Sequence, residues 1–328
     1  MQVLMITPAT PGSRAGNRAT AERWQALLTG AGHTVAVDTE YHGQPCDVMI
    51  ALHAWRSREA IQAFRERRPD RPLIVVLTGT DVYLHLNRCP EETLASLDAA
   101  DSLIGLHDQL SRDIPARFAD RLVTLYQSAR VPAAQPAPPS DVFQVCVVGH
   151  LRDEKDSLRA ALALRHIPVD RAVRVICAGK PLDDAWRDRA LREARDNPRF
   201  QWLGELDQAG TERLLTGSHV MVISSVMEGG ANVVSEACRA GVPVLASDIP
   251  GNRGLLGDDY PGYFPVGDEA ALARLMLRAM DDRPFLDDVR RWVAERATRF
   301  TPEREQASLL AALALAVERC RQRRGGTG

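Results

Sequence analysis

The 328-residue chain has no excess of either charge: 41 Lys and Arg stand against 43 Asp and Glu, a formal net charge of -2. A whole-protein field so near neutrality gives no reason to expect nucleic acid or anionic membrane as the main partner, so any anion site has to be local. No Cys-x-x-Cys pair occurs, and Cys46, Cys89, Cys146, Cys177, Cys238 and Cys320 are widely scattered. That excludes a zinc ribbon or a disulfide framework and points to reduced thiols in a cytoplasmic protein. Neither the dinucleotide fingerprint G-x-G-x-x-G nor the P-loop G-x-x-x-x-G-K-[ST] is present. Asp-x-Asp is missing too, which argues against a metal-held diphosphate and for cationic side chains, with no metal and no cofactor expected. The N-terminus, "MQVLMITPAT", has no basic n-region and too short an apolar run for a signal peptide. No stretch approaches the length of a membrane helix, so no stable membrane insertion is expected.

What is present is a rhythm of short apolar runs and longer helical patterns. With 45% hydrophobic residues the chain is long enough for two domains of about 150 residues, each with its own core. "QVLMITP", "HTVAVD", "CDVMIAL", "PLIVVLTG", "SLIGL" and "RLVTLYQ" come first, then "FQVCVVGH", "VRVICAG", "FQWLG", "VMVISS" and "VPVLAS". Such alternation predicts α/β architecture with parallel sheets covered on both faces. Between the two sets lies "ARVPAAQPAPPSD", in which Pro132, Pro136, Pro138 and Pro139 rule out helix and central strand and mark a semi-rigid linker. The expected organisation is an N-terminal Rossmann-like domain over 1–130, a linker over 131–140, a second Rossmann-like domain over 141–300, and a C-terminal helix over 301–328 docked by its Leu face, packing back on the first domain.

Ligands of open α/β folds bind at the carboxyl ends of the strands, and the motifs fall in strand-to-helix loops. The first strand leads into "PATPGSRAGNRATAERW", where Gly12 and Gly16 allow a tight turn and Asn17 or Thr20 can cap the next helix. This loop suits an anion at a helix N-terminus and equally a plain structural turn. In "VVGHLRDEKDSLRAAL", Arg152 and Lys155 arrive as the chain turns into a helix. They fit one diphosphate; the alternative is an exposed charged turn pairing with Asp153, Glu154 and Asp156. Glu228 and Glu236 flank seven residues that begin with Gly229-Gly230, with Asn232 as N-cap and Gly241 as C-cap of the helix between strands "VMVISS" and "VPVLAS".

Together the glycine loop, the Arg/Lys pair and E-x7-E before "GVPVLASD" resemble the GT-B glycosyltransferases of the large retaining type that includes sucrose and glycogen synthases. The resemblance implies two Rossmann-like domains facing each other across a cleft. It places Glu236 on the ribose hydroxyls, Glu228 by the donor sugar, Arg152 and Lys155 on the diphosphate, and Gly16, Asn17, Gly229, Gly230, Ala231, Asn232 and Val233 in the donor site. On that resemblance Glu228 and Glu236 have distinct uses, one for sugar and one for ribose, and glycines let the backbone reach phosphate between them.

"SRAGNRATAERW", "ALHAWRS", "LTGTDVY", "QSA" and "VVGHLRDEKD" resemble the selenosugar synthases of the selenoneine pathway, a divergent branch of these enzymes. That resemblance implies transfer from a UDP-sugar, chiefly UDP-N-acetylglucosamine, to selenophosphate. A carbon–selenium bond forms, UDP and phosphate are released, and the enzyme is linked functionally to others of that pathway. Selenium in selenophosphate is already an anionic nucleophile and needs orientation and charge neutralisation more than a base. Arg14, Arg18, Thr78, Gly79, Thr80 and Asp81 are the expected acceptor-binding residues, Asp81 being alternatively a turn cap. His53, at a strand's carboxyl end, is placed with the catalytic residues, as acceptor ligand or as base for a hydroxyl. An ordinary hexosyltransferase acting on a hydroxyl and a non-catalytic nucleotide-sugar-binding protein remain the alternatives.

Overall fold

The computed structural model describes residues 1–13, 15–133 and 136–325, so the expectation for Arg14 lies outside the described residues. It divides into two compact units, one of Met1–Gln127 with Pro302–Gly328 and one of Ser128–Thr301.

The first unit is built on strands β1 (Gln2–Ile6), β2 (Thr34–Asp38), β3 (Val48–Leu52), β4 (Leu73–Leu77), β5 (Ser102–Gly105) and β6 (Leu122–Thr124). They form one sheet in the order β2-β1-β3-β4-β5-β6, every pairing parallel. Successive side chains of a strand point to opposite faces. Thus Val3 and Met5 of β1 enter one core with Trp24 and Leu28, while Leu4 and Ile6 enter the other with Phe64 and Phe118. Because both faces are covered, β3 and β4 are apolar and buried at every position.

The C-terminal helix (Pro302–Gly325) belongs to this unit and adds Leu309, Ala312, Leu313 and Ala316 to the core shared with Trp24. Its anchor is Glu305, fully buried, whose carboxylate accepts from Trp24 Nε1 at 2.7 Å and Arg23 Nε at 2.9 Å.

The second unit repeats the plan with β7 (Phe143–Val148), β8 (Val173–Ala178), β9 (Phe200–Trp202), β10 (Val220–Ile223), β11 (Val244–Ser247) and β12 (Tyr263–Phe264), in the order β12-β11-β10-β7-β8-β9. All but β12 fall within the apolar runs of the sequence; two residues are too short to make a pattern. The chain enters and leaves this unit side by side, the Ala129 N–H donating to the Phe300 carbonyl at 3.1 Å.

In each sheet the strand order reverses beside the first strand, between β1 and β3 and between β7 and β10. At such a reversal the crossover helices leave to opposite faces and open a crevice outside the carboxyl ends.

Three local expectations are corrected. The first helix (Gly16–Gly30) is capped by Ala15 without a side-chain bond. Asn17 is already inside it, and the Thr20 hydroxyl donates back to the Gly16 carbonyl instead of capping. Ala231, not Asn232, caps the helix Asn232–Ala240, again through backbone geometry alone. The helix expected to start at Arg152 begins at Arg159, because Asp156 is left-handed (φ 45°) and interrupts it after a single 3-10 turn, Asp153–Lys155.

Candidate functional site

In the second unit the loops after β7 and β10 flank the reversal, and they are tied to each other. The Val226 N–H donates to the Glu154 carbonyl (2.9 Å), and the Ser224 hydroxyl to the Asp156 carbonyl (2.8 Å). This brings Lys155 Nζ to 2.5 Å from Glu228 Oε1. Lys155 therefore does not pair with its sequence neighbours. Arg152 does, with Nε 3.8 Å from Glu154 Oε2, while Asp156 is taken by Arg159 at 2.8 Å. Burial pushes the Asp156 carboxyl up from its ordinary range, and Arg159 beside it only partly offsets that.

Glu228 is 7% exposed, and its Oε1 also accepts from the Ser225 hydroxyl at 2.6 Å. Ser225 is held in turn: the Ser247 hydroxyl at the end of β11 donates to its carbonyl at 2.6 Å, and Asn252 Nδ2 donates to the Ser247 carbonyl at 2.9 Å. Gly251 packs so closely on this loop that a Cβ there would lie 2.2 Å from the Glu228 carbonyl oxygen.

After Glu228 the chain runs through Gly229 (buried) and Gly230 (half-buried) into the helix Asn232–Ala240. Val234, Ala237 and Cys238 repeat at helical spacing and bury one face. Asn232, Val233 and Glu236 are half-buried in this helix, and Gly241, left-handed at φ 69°, closes it. The structure thus gathers Lys155, Glu228 and the glycine pair, with Arg152 in the same loop and Glu236 on the helix they lead into.

In the first unit, His53 leaves β3 with a positive φ of 73°, a conformation costing a non-glycine residue about 1–3 kcal/mol. Its ring is 2% exposed and Asp81 is fully buried. His53 Nδ1 lies 2.5 Å from Asp81 Oδ1, and the Thr80 hydroxyl lies 3.0 Å from Nε2. The backbone N–H of Arg56 is 3.3 Å from the same Nδ1, but the shorter carboxylate contact fixes a proton there.

Asp81 also accepts from the backbone N–H of Ala54 (3.1 Å), Trp55 (3.0 Å) and Thr78 (2.9 Å) and from the Thr78 hydroxyl (2.9 Å). Burial pushes this carboxyl up, but His53 and the Trp55 and Thr78 amides outweigh it and hold it below the ordinary range. Both of its oxygens are occupied, so it orients His53 and is not available as an acceptor ligand.

Thr78, Gly79 and Thr80 are half-buried around this pair. Arg18 Nε lies 2.7 Å from Glu22 Oε1 while its Nη1 is buried with no hydrogen-bond partner among the described residues, and Gly16 and Asn17 lie on the first helix after β1.

Several residues escaped the sequence reading. Ser225 and Ser247 are ordinary serines whose partners are visible only in three dimensions. Of the 41 basic residues only Lys155 and Lys180 are lysines, a countable signal, and Lys180 is exposed at the carboxyl end of β8, next to β7. In the first unit, Trp55 stacks on His85 with centroids 4.1 Å apart beside His53.

The model of the family described as glycosyl transferases group 1 matches residues 132–300, just over half of the chain. The chain belongs to this glycosyltransferase family. A curated relative, phosphatidyl-myo-inositol mannosyltransferase of Mycobacterium leprae, is 37% identical over 78 residues, 23% of this chain; the match covers 20% of that protein's length. Among solved structures, Anabaena HepE in complex with UDP and glucose superposes with a TM-score of 0.77 at 15% identity, over 96% of this chain and 99% of that one. Sucrose-phosphate synthase from Thermosynechococcus elongatus gives 0.76 at 16% identity, over 99% and 98%. At such identities the likeness is one of fold, and the two parallel six-stranded sheets are those of the GT-B-like glycosyltransferases. The family match spans the second unit, where the Lys155–Glu228 cluster lies.

Proposed function

We propose that this glycosyltransferase uses a UDP-sugar as donor and needs no metal ion for the transfer. The observation that carries the reading is the Lys155–Glu228 contact at the sheet reversal of the second unit, which puts a cation suited to a diphosphate against a carboxylate suited to sugar hydroxyls. Glycosyltransferases of similar fold solved with UDP and with UDP-glucose support the choice of nucleotide. In this reading Arg152 and Lys155 neutralise the departing diphosphate, Glu228 accepts from the sugar, Glu236 from the ribose, and the backbone from Gly229 to Val233 lies along the phosphates.

For the acceptor we propose selenophosphate and for the sugar N-acetylglucosamine. The support is the resemblance of "ALHAWRS" and "LTGTDVY" to the selenosugar synthases, together with the fact that these two segments build one hydrogen-bonded node, His53 with Thr78, Thr80 and Asp81. Selenium attacks the anomeric carbon as its bond to the diphosphate oxygen breaks. UDP leaves with that electron pair, and hydrolysis of the Se–P bond releases phosphate. A second reading, transfer to a hydroxyl, draws on the same node, because a histidine backed by a buried aspartate is the arrangement of a general base.

An anaerobic reaction with UDP-N-acetylglucosamine, with and without selenophosphate and followed by mass spectrometry, tests the choice. UDP release that depends on selenophosphate, with a selenium isotope pattern on the sugar, is the expected result. UDP release with a hydroxyl acceptor alone would overturn the selenium reading and leave the donor site standing.

A further inference from the structure

We infer that Ser225 is a positioning residue that decides which oxygen of Glu228 faces the donor sugar. The inference rests on the reading of Glu228 as the sugar-side carboxylate. The contacts fall on one oxygen: Lys155 Nζ and Ser225 Oγ both meet Oε1, at 2.5 and 2.6 Å, while Oε2 has no partner among the described residues. A carboxylate in that state offers one free acceptor in a fixed direction.

The two holders of Oε1 differ in kind. Lys155 is 23% exposed on a flexible stem and carries the charge a diphosphate competes for. Ser225 is 1% exposed and carries no charge, and its backbone is pinned by Ser247, which Asn252 pins in turn. When a diphosphate draws Lys155 away, the Ser225 hydroxyl is what remains on Oε1. Gly251, whose missing Cβ leaves room for the Glu228 carbonyl, holds the backbone at the same point. Carboxylate, hydroxyl and braces come from the loop after β10, the end of β11 and the helix Pro250–Leu256 that follows it, so the geometry is a property of the second unit by itself.

Ser225 therefore acts on sugar recognition and not on nucleotide recognition, and the separation is measurable. Calorimetric titration of the full chain with UDP-N-acetylglucosamine and with UDP gives a ratio of affinities that a loss of folding alone does not change. Ser225→Ala removes only a hydroxyl. It is expected to weaken UDP-N-acetylglucosamine by about tenfold, the worth of one hydrogen bond to a charged group, and to leave UDP within about twofold. Ser247→Ala, which acts one link further back, is expected to shift the ratio in the same direction by less. Glu228→Gln is the control for the underlying reading. If it moves the ratio and Ser225→Ala does not, or if Ser225→Ala weakens both ligands equally, the positioning role is overturned while the carboxylate keeps its assignment. An unchanged ratio in Glu228→Gln would remove the sugar-side reading and the inference with it.

Discussion

Replacing Lys155 by alanine separates the electrostatics of the donor site from those of folding. The Lys155 and Glu228 side chains are 23% and 8% exposed, so the pair lies between a surface ion pair and a buried one. Exposed pairs contribute about 0–1 kcal/mol, whereas breaking a buried pair costs about 3–5 kcal/mol because the remaining charge is stranded. Ser225 stays on the same oxygen and softens the loss, so Lys155→Ala is expected to cost about 1–2 kcal/mol of stability. Turnover should fall further. A charged donor aimed at a leaving group contributes on the order of 100- to 1000-fold to kcat, equivalent to about 3–4 kcal/mol. Adding Glu228→Gln to the variant removes the stranded charge, so the double variant should recover stability without recovering turnover. Urea unfolding followed by tryptophan fluorescence reads the first quantity and UDP release the second. Turnover within about threefold of the parent in a folded Lys155→Ala protein would refute the assignment of the cation. A double variant no more stable than the single one would refute the argument from burial.

Two further outcomes concern the donor site and its loop, and a third concerns a buried histidine of the first unit. Chelation with EDTA should leave turnover within about twofold, since side-chain cations are proposed to carry the diphosphate charge; loss of activity restored by a divalent cation would contradict this. Gly251→Ala should destabilise the second unit by about 1–3 kcal/mol in thermal unfolding, because its Cβ would meet the Glu228 carbonyl oxygen at 2.2 Å and the loop has to shift; an unchanged midpoint would show that the contact yields freely. His107, fully buried with Nε2 3.1 Å from the Tyr83 hydroxyl, is held down to about 4 by burial, which the nearby Asp113 and Asp108 only partly counter. The unfolded chain binds this proton below about pH 6.5 and the folded chain does not until about pH 4. Stability is thus complete above that window and falls by up to about 1.4 kcal/mol per unit as pH drops through it. His107→Asn should flatten the slope of unfolding midpoints against pH, and a parallel curve would refute the assignment.

The fold was legible where burial on both faces makes every residue of a strand apolar, as in β3 and β4, since a continuous apolar run bounded by turn residues needs no knowledge of its partners. Local chemistry misled where the backbone had another solution. Asn17 and Asn232 are good capping residues by type, but the helices begin at Gly16 and Asn232 and place both inside. "RDEKD" has the composition of an exposed helical turn, and nothing within it announces that Asp156 adopts a left-handed conformation.

The site divides along the same line. Residues at the carboxyl ends of strands could be nominated from order alone: Lys155 and Glu228 follow β7 and β10, which are neighbours in the sheet though 73 positions separate the two side chains in sequence. What each side chain does is decided by its partners. Asp81 reads as a turn cap or an acceptor ligand until Ala54, Trp55, Thr78 and His53 are seen to fill its oxygens. Ser225 carries no signal until its hydroxyl is found on Glu228. A carboxylate buried with every acceptor position taken serves to aim another group, as Asp81 aims His53. Glu228 is buried with one oxygen left open among the described residues, as the proposed contact with a donor sugar requires, and the difference lies in neighbours that a one-dimensional pattern does not contain.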